Sequence, residues 1–301
     1  MNPQKSDRRD ASASKKAEWL VTAPSFGWLL IFFAIPTLLI IVMSFKPADP
    51  HGGFGSGWSL KAWVDMKNPS YPQIVWRTVW LSVVATVICL SLALPVGYLL
   101  GKLRTRWRNI LLLLVIVPFW TNFLIRVFAW KVLLHPEGFL RRGLLALGLI
   151  DEQTMLLYNE GAVLLVMVYS FLPFAILPLY AAAEKFDFAL LDAARDLGAS
   201  ASRAFWLVFV PGIRRGLMAA VAMVLIPALG SYIIPELVGG PTAEMIGNKI
   251  GQRVFVDRNW PHAAALACLL MLVSLAPVLA AFFSGKQHST PSVPSQKGGG
   301  R

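Results

Sequence analysis

Leu191-Asp192-Ala193-Ala194-Arg195-Asp196-Leu197-Gly198 is a short, charged, small-residue stretch, and Val208-Phe209-Val210-Pro211 follows it after an interval of nine residues. The chemistry such a segment suits is docking rather than bond-making. It lies between two apolar runs, each long enough to cross a membrane, so a helix here is held at the membrane surface by a span on either side. A helix placed that way can take force from a soluble partner and pass it into the membrane. Leu190, Ala193, Ala194 and Leu197 fall at i, i+3, i+4 and i+7, which is one helical face. Ala193, Ala194 and Gly198 keep the surface low enough for another backbone to approach. Gly198 suits a helix stop and Ser200 suits the cap of the next helix. The plainer alternative is an amphipathic connector between spans.

Catalytic constellations are absent from the sequence. There is no G-x-x-x-x-G-K-[ST] loop, since Gly285-Lys286 lacks both the upstream glycine and the following Ser or Thr, so this device for cradling nucleotide phosphates is missing. His51, His135, His262 and His288 all fall outside the apolar runs, and no H-E-x-x-H occurs. No metal-ligand set and no catalytic residue is expected, and the chain reads as a non-enzyme. Cys89 and Cys268 lie inside apolar runs and read as small apolar fillers rather than a disulfide.

The elements that must hold the docking segment are membrane spans. Hydrophobic residues make up 56% of the 301 residues and the mean hydropathy is +0.60, above a soluble domain. A crossing takes ~20 apolar helical residues, and six runs qualify, at about 25–45, 78–101, 109–130, 161–183, 212–235 and 263–285. In lipid the backbone must satisfy its own polar groups, so the runs are expected to be helices and the fold class all-α. Each run contains proline, which suits kinked packing. Residues 1–18 read as a cytoplasmic polar tail, 19–285 as the transmembrane domain with a cytoplasmic loop at 184–211, and 286–301 as a disordered cytoplasmic tail. The glycine-rich run 51–57 reads as a flexible outer loop, Phe139 to Leu149 as a surface helix, and 236–262 as a third outer segment.

The net charge of +12 invites a nucleic-acid reading, but the distribution argues against it. Basic residues gather on alternate sides of the spans: Lys5 to Lys16, Lys102 to Arg108, Lys185 to Arg215, and the C-terminal tail. That is the positive-inside pattern. It places both termini and the Asp192 segment in the cytoplasm, and the first run reads as an uncleaved span rather than a signal peptide.

The spacing of Asp192, Ala193, Ala194, Gly198 and Val208-x-Val210-Pro211 resembles the cytoplasmic coupling loop of binding-protein-dependent ABC importer permeases, Glu-Ala-Ala, three residues, Gly, nine residues, Ile-x-Leu-Pro. Asp stands here for Glu, and Val for Ile and Leu. Three further runs resemble permeases of polyamine importers: Pro118 to Trp130, Ile234-Pro235-Glu236-Leu237-Val238-Gly239-Gly240-Pro241, and Met245-Ile246-Gly247 with Arg258-Asn259-Trp260-Pro261. Together they span most of residues 20 to 285. The resemblance implies a type I ABC importer permease in a bacterial inner membrane. Its implied partners are a second permease subunit in a heterodimer, a cytoplasmic ATPase dimer that holds ATP and Mg, and a periplasmic substrate-binding protein. The chain itself would carry no cofactor. Asp192, Ala193, Ala194, Gly198 and Pro211 would be its ATPase-coupling residues.

A polyamine is a flexible multivalent cation that wants carboxylates and aromatic faces along its path. Trp120, Tyr169 and Tyr232 can supply the faces, and Glu236 and Asp257 the charge. Each aromatic has an alternative in an interfacial belt, and Glu236 in a structural carboxylate. Arg126 interrupts a span, which is costly, and reads as paired, as an outer-gate element, or as snorkelling. Competing readings of the whole are a permease for another small organic solute, such as an opine or an amino-acid derivative, and an ATPase-independent channel or carrier.

Overall fold

The structure is a computed structural model that describes residues 22–285, so the tails expected at 1–18 and 286–301 lie outside the described residues. Regular structure among the described residues is helical, as the composition requires. They fall into two compact units, one running up to Asn68 and including Ile250–Leu269, the other comprising Pro69–Lys249 and the residues from Leu270 on.

The first unit contains α1, Thr22–Met43, and the short α2, Lys61–Asp65. α1 is apolar on every side and buries almost nothing within this chain, as a helix facing lipid does. The glycine-rich segment expected to be a flexible loop is instead a shaped turn. Gly52 and Gly53 adopt φ of 101° and 92°, Ala48 bridges to Phe54, and the Gly53 amide donates to the Arg258 carbonyl at 2.9 Å.

The second unit is built on α3, Ser70–Lys102, and α7, Glu160–Glu184. Both are long and apolar enough to span a membrane. Between them lie α4, Thr105–Ile116, which runs on as a 3-10 turn to Trp120, then α5, Phe123–Leu133, and α6, Phe139–Ala146. Then come α8, Ala189–Asp196; α9, Ala201–Gly212; and α10, Arg214–Leu229. α11, Ile246–Gly251, leads to α12, Trp260–Gly285, which belongs partly to each unit.

α3 carries a small-residue stripe at every fourth position: Ala85, Cys89, Ala93, Gly97 and Gly101. The first four are buried, and the stripe packs on α7. A Cβ on Gly97 would lie 3.2 Å from the Leu179 Cβ, and one on Gly101 would lie 3.1 Å from the Ala183 Cβ. Apolar side chains gain little by leaving lipid for each other, so membrane helices associate through such close backbone approach. Ion pairs fasten α7 at both ends: Arg77 Nε to Glu160 Oε1 at 3.2 Å, and Arg108 Nη1 to Glu184 Oε1 at 3.0 Å. α10 packs on the same pair, with Gly216 allowing it to lie against Ala182 and the Pro178 carbonyl.

The run 109–130 is bent within itself, and the run 212–235 is bent where it begins. Thr105–Trp120 and Phe123–Leu133 meet at 90°, and Ala201–Gly212 and Arg214–Leu229 at 75°. The first bend follows Pro118 and is closed by Asn122, whose Oδ1 accepts from the Leu124 amide at 2.8 Å. The 3-10 and π-helical residues after α10 do not stay outside the packed core. Val238, Ala243, Met245 and Ile246 are buried, so part of the segment 236–262 expected to lie outside is folded into the second unit.

The seam yields a direct test. Gly97→Leu should overpack the α3–α7 contact and cost about 1–3 kcal/mol. A lower thermal unfolding midpoint in detergent is the expected readout, and an unchanged midpoint would show that the contact is slack.

Candidate functional site

The docking segment forms the amphipathic helix that its spacing predicts. Asp187 Oδ1 accepts from the Ala189 amide at 3.0 Å and opens α8. At the far end the Ala199 amide donates to the Ala194 carbonyl at 3.0 Å and the Gly198 amide to the Arg195 carbonyl at 2.9 Å. These paired bonds make a Schellman stop, which needs a left-handed residue, and Gly198 supplies it with φ of 87°. Ser200 Oγ then caps α9, accepting from the Arg203 amide at 3.3 Å.

The face that α8 turns inward differs from the stripe counted in the sequence. Leu191 is buried and Ala194 is half-buried. Leu190, Ala193 and Leu197 point away from the core, with Leu197 91% exposed. One side thus anchors the helix while an apolar stripe stays uncovered. Asp192 is exposed in the first turn and, with Arg195, Tyr98 and Lys102, lines a small recess between α8 and the end of α3. Pro211 is exposed in the last turn of α9, just before the bend at Ile213.

Beneath α8 lies an aromatic platform that the sequence reading missed. The Phe209 side chain is fully buried, and its ring stands 5.0 Å from Tyr98, 5.2 Å from Phe186, 5.4 Å from Phe205 and 6.2 Å from Phe188. Tyr98 and Phe186 meet it edge to face, whereas Phe205 and Phe188 stack on it, both being arrangements that ring quadrupoles favour. Lys102 Nζ sits 4.7 Å above Tyr98 and 5.5 Å above Phe188. The platform joins the C-terminal end of α3, the residues leading into α8, and α9. Residues 205–209 are π-helical, a widening often found at functional places in helices. Phe186 and Phe188 before the motif and Phe205 and Phe209 within it were visible as an aromatic cluster. Tyr98 had no local signal.

The second group of candidate residues is partly brought together. Tyr232 and Glu236 share one partner, Asn248, which is 6% exposed. Its Nδ2 donates to Glu236 Oε2 at 2.6 Å and to the Tyr232 carbonyl at 3.3 Å, while its Oδ1 accepts from the Met245 amide at 3.2 Å. The segment is pinned to α3 by Thr78 Oγ1, which accepts from the Ile246 amide at 2.9 Å. Gly247 permits the close crossing, because a Cβ there would fall 2.5 Å from the Ser231 carbonyl oxygen. Tyr169 meets the Trp130 ring edge-on at 5.3 Å. Trp120 is 77% exposed at the elbow between α4 and α5. Asp257 lies in the other unit, where Arg253 Nη1 holds its Oδ2 at 2.7 Å. Arg126 lies over two rings, with its Cζ 4.9 Å from the Phe119 centroid and 5.7 Å from that of Phe123. Among the described residues no group of three or more His, Cys, Asp or Glu is placed to hold a metal ion.

Comparison with known proteins agrees with this geometry. Residues 93–288 match the family described as binding-protein-dependent transport system inner membrane component. The chain is 37% identical over 263 residues to the spermidine/putrescine transport system permease protein PotB of Haemophilus influenzae, covering 87% of this chain and 92% of that one. It is also 37% identical to PotB of Escherichia coli, over 82% of this chain and 90% of the relative. The inner membrane ABC transporter permease protein YdcU of Escherichia coli is 30% identical over 69% of this chain and 70% of its own length. In fold the chain is similar to a chain of a bacterial ABC transporter involved in import of the acidic polysaccharide alginate, with a TM-score of 0.70 at 19% identity, covering 93% of this chain and all of that one.

The platform's role can be read locally. Phe209→Ala removes a fully buried ring and should cost about 3–5 kcal/mol. Hydrogen exchange of the α8 amides should quicken in this variant, whereas Trp206→Ala, at a 58% exposed ring, should leave it unchanged. Equal protection of α8 in both variants would remove the platform as its support.

Proposed function

The chain belongs to the family of binding-protein-dependent transport system inner membrane components, and we propose that it is one of two permease subunits of an ABC importer that carries polyamines such as spermidine or putrescine. It is a transport component of the membrane rather than an enzyme. The observation that carries the coupling role is the uncovered stripe of Leu190, Ala193 and Leu197 on a helix whose other side is anchored in the aromatic platform. The names of the PotB relatives support the cargo.

In this reading α8, with Asp192, Ala193, Ala194 and Gly198, seats in a cleft of a cytoplasmic ATPase that binds ATP and Mg, and Pro211 marks where its thrust enters the bent helix pair. A second, related permease completes the pathway, and a periplasmic binding protein delivers cargo to the outer face. Both termini are cytoplasmic. Closure of the ATPase dimer displaces α8, and the spans switch between inward-open and outward-open packings as a rigid-body change. Glu236 and Tyr232, with Trp120 and Tyr169, offer negative charge and π-faces to a passing ammonium group. Asp257 contributes at the outer boundary.

Gly198→Asp tests the coupling role. Space beyond Gly198 is open, and Asp tolerates left-handed backbone better than most residues, so the helix end should survive with a charge placed on the docking surface. ATP-driven spermidine uptake should be lost while membrane insertion of the subunit persists. Normal uptake would overturn the proposal.

A further inference from the structure

We infer that Asn248 is a positioning residue that aims Glu236 at the cargo and makes this carboxylate a recognition point for a primary ammonium group. The inference rests on the polyamine reading above. Asn248 is buried, and its amide is used on both sides. Its Oδ1 accepts from the Met245 amide and fixes the ring-like turn that opens α11, while its Nδ2 reaches Glu236 Oε2 at 2.6 Å. A bond that short to a carboxylate is charge-assisted and restrains the side chain strongly.

The anchor is rigid because its surroundings leave no slack. Thr78, buried in α3, holds the Ile246 amide and itself donates to the Ile74 carbonyl at 2.7 Å. Gly247 presses α11 against the backbone of Ser231 and Tyr232. The same Nδ2 holds the Tyr232 carbonyl, and the Glu236 amide donates to that carbonyl at 3.1 Å. The carboxylate is therefore fixed through one oxygen to a buried amide, while Glu236 as a residue stays exposed. The exposed aromatic Tyr232 lies one helical turn before it. A fixed carboxylate oxygen beside an aromatic face is a combination that suits an alkylammonium group more than a neutral solute.

The test uses the assembled importer, with its ATPase, second permease and binding protein, in proteoliposomes supplied with labelled spermidine. The readout is spermidine moved per ATP hydrolysed, which a loss of assembled protein alone does not change. Removing one hydrogen bond to a charged group should lower this ratio about tenfold in Asn248→Ala, and Glu236→Gln should show a similar loss. The double variant should lose no more than either single one, because both changes remove the same interaction. If Asn248→Ala does not assemble, Asn248→Leu keeps the side-chain volume, withdraws the donor from Glu236, and should show the same loss. A wild-type ratio in either Asn248 variant or in Glu236→Gln, or losses that multiply in the double variant, would overturn the positioning role. An unmodified importer that moves neutral solutes but no spermidine would instead overturn the polyamine reading, and this inference with it.

Discussion

Everything in the second unit depends on how closely α3 can lie against α7. In lipid, two apolar helices have no solvent reason to meet, and their contact rests on dispersion between surfaces that fit. The stripe of Ala85, Cys89, Ala93, Gly97 and Gly101 provides that fit. Each missing methylene brings more atoms of the partner into range, and the ion pairs from Arg77 and Arg108 fix the register at the two ends of α7. A slip of α3 by one helical turn along α7 would separate the Arg77 pair.

The two candidate regions hang from opposite ends of that seam. At one end Gly101 lies against Ala183 and the Phe188 ring, where the aromatic platform begins. At the other, Thr78 of α3 holds the segment that carries Asn248. α7 starts at Glu160, passes Tyr169, and ends where the chain turns into α8. A displacement of α8 therefore meets a stiff pair of helices rather than a loop. Closely packed cores have few alternative arrangements, so such a displacement is more readily answered by a change of packing than by gradual bending.

How much of this was legible depended on the range of the determining contact. The helical character of the spans follows from local apolarity, and the Schellman stop at Gly198 follows from a glycine at the right place after a small-residue helix. Nothing local reports direction. The run 109–130 is apolar almost throughout, and apolarity does not distinguish a straight helix from two halves meeting at 90°. The run 51–57 has the composition of a flexible loop, and its fixed shape rests in part on the distant Arg258 and Asn259. Asn248 falls in the run 236–262 that reads as an outer segment, and nothing local marks it, because its partners lie 12 and 16 residues away. The apolar residues around it, Ile234, Val238, Met245 and Ile246, were the signal available for a buried return of the chain.

Arg126 shows how a bend changes the energetics of a sequence feature. In a straight span the guanidinium would sit among apolar residues about one turn before the run ends, where a charge is costly unless it snorkels to the interface. The helix from Thr105 rises only about 24 Å before it turns at Trp120, against ~30 Å of hydrocarbon. Arg126 follows the 90° bend, three residues into α5. There the flat guanidinium covers the Phe119 and Phe123 rings, one on each side of the elbow. The arginine that looks like an interruption of a span thus becomes a clasp across its corner, its Nε buried without a hydrogen-bond partner, and the ring contacts stiffen the bend that α5 needs in order to pack against residues 235–239.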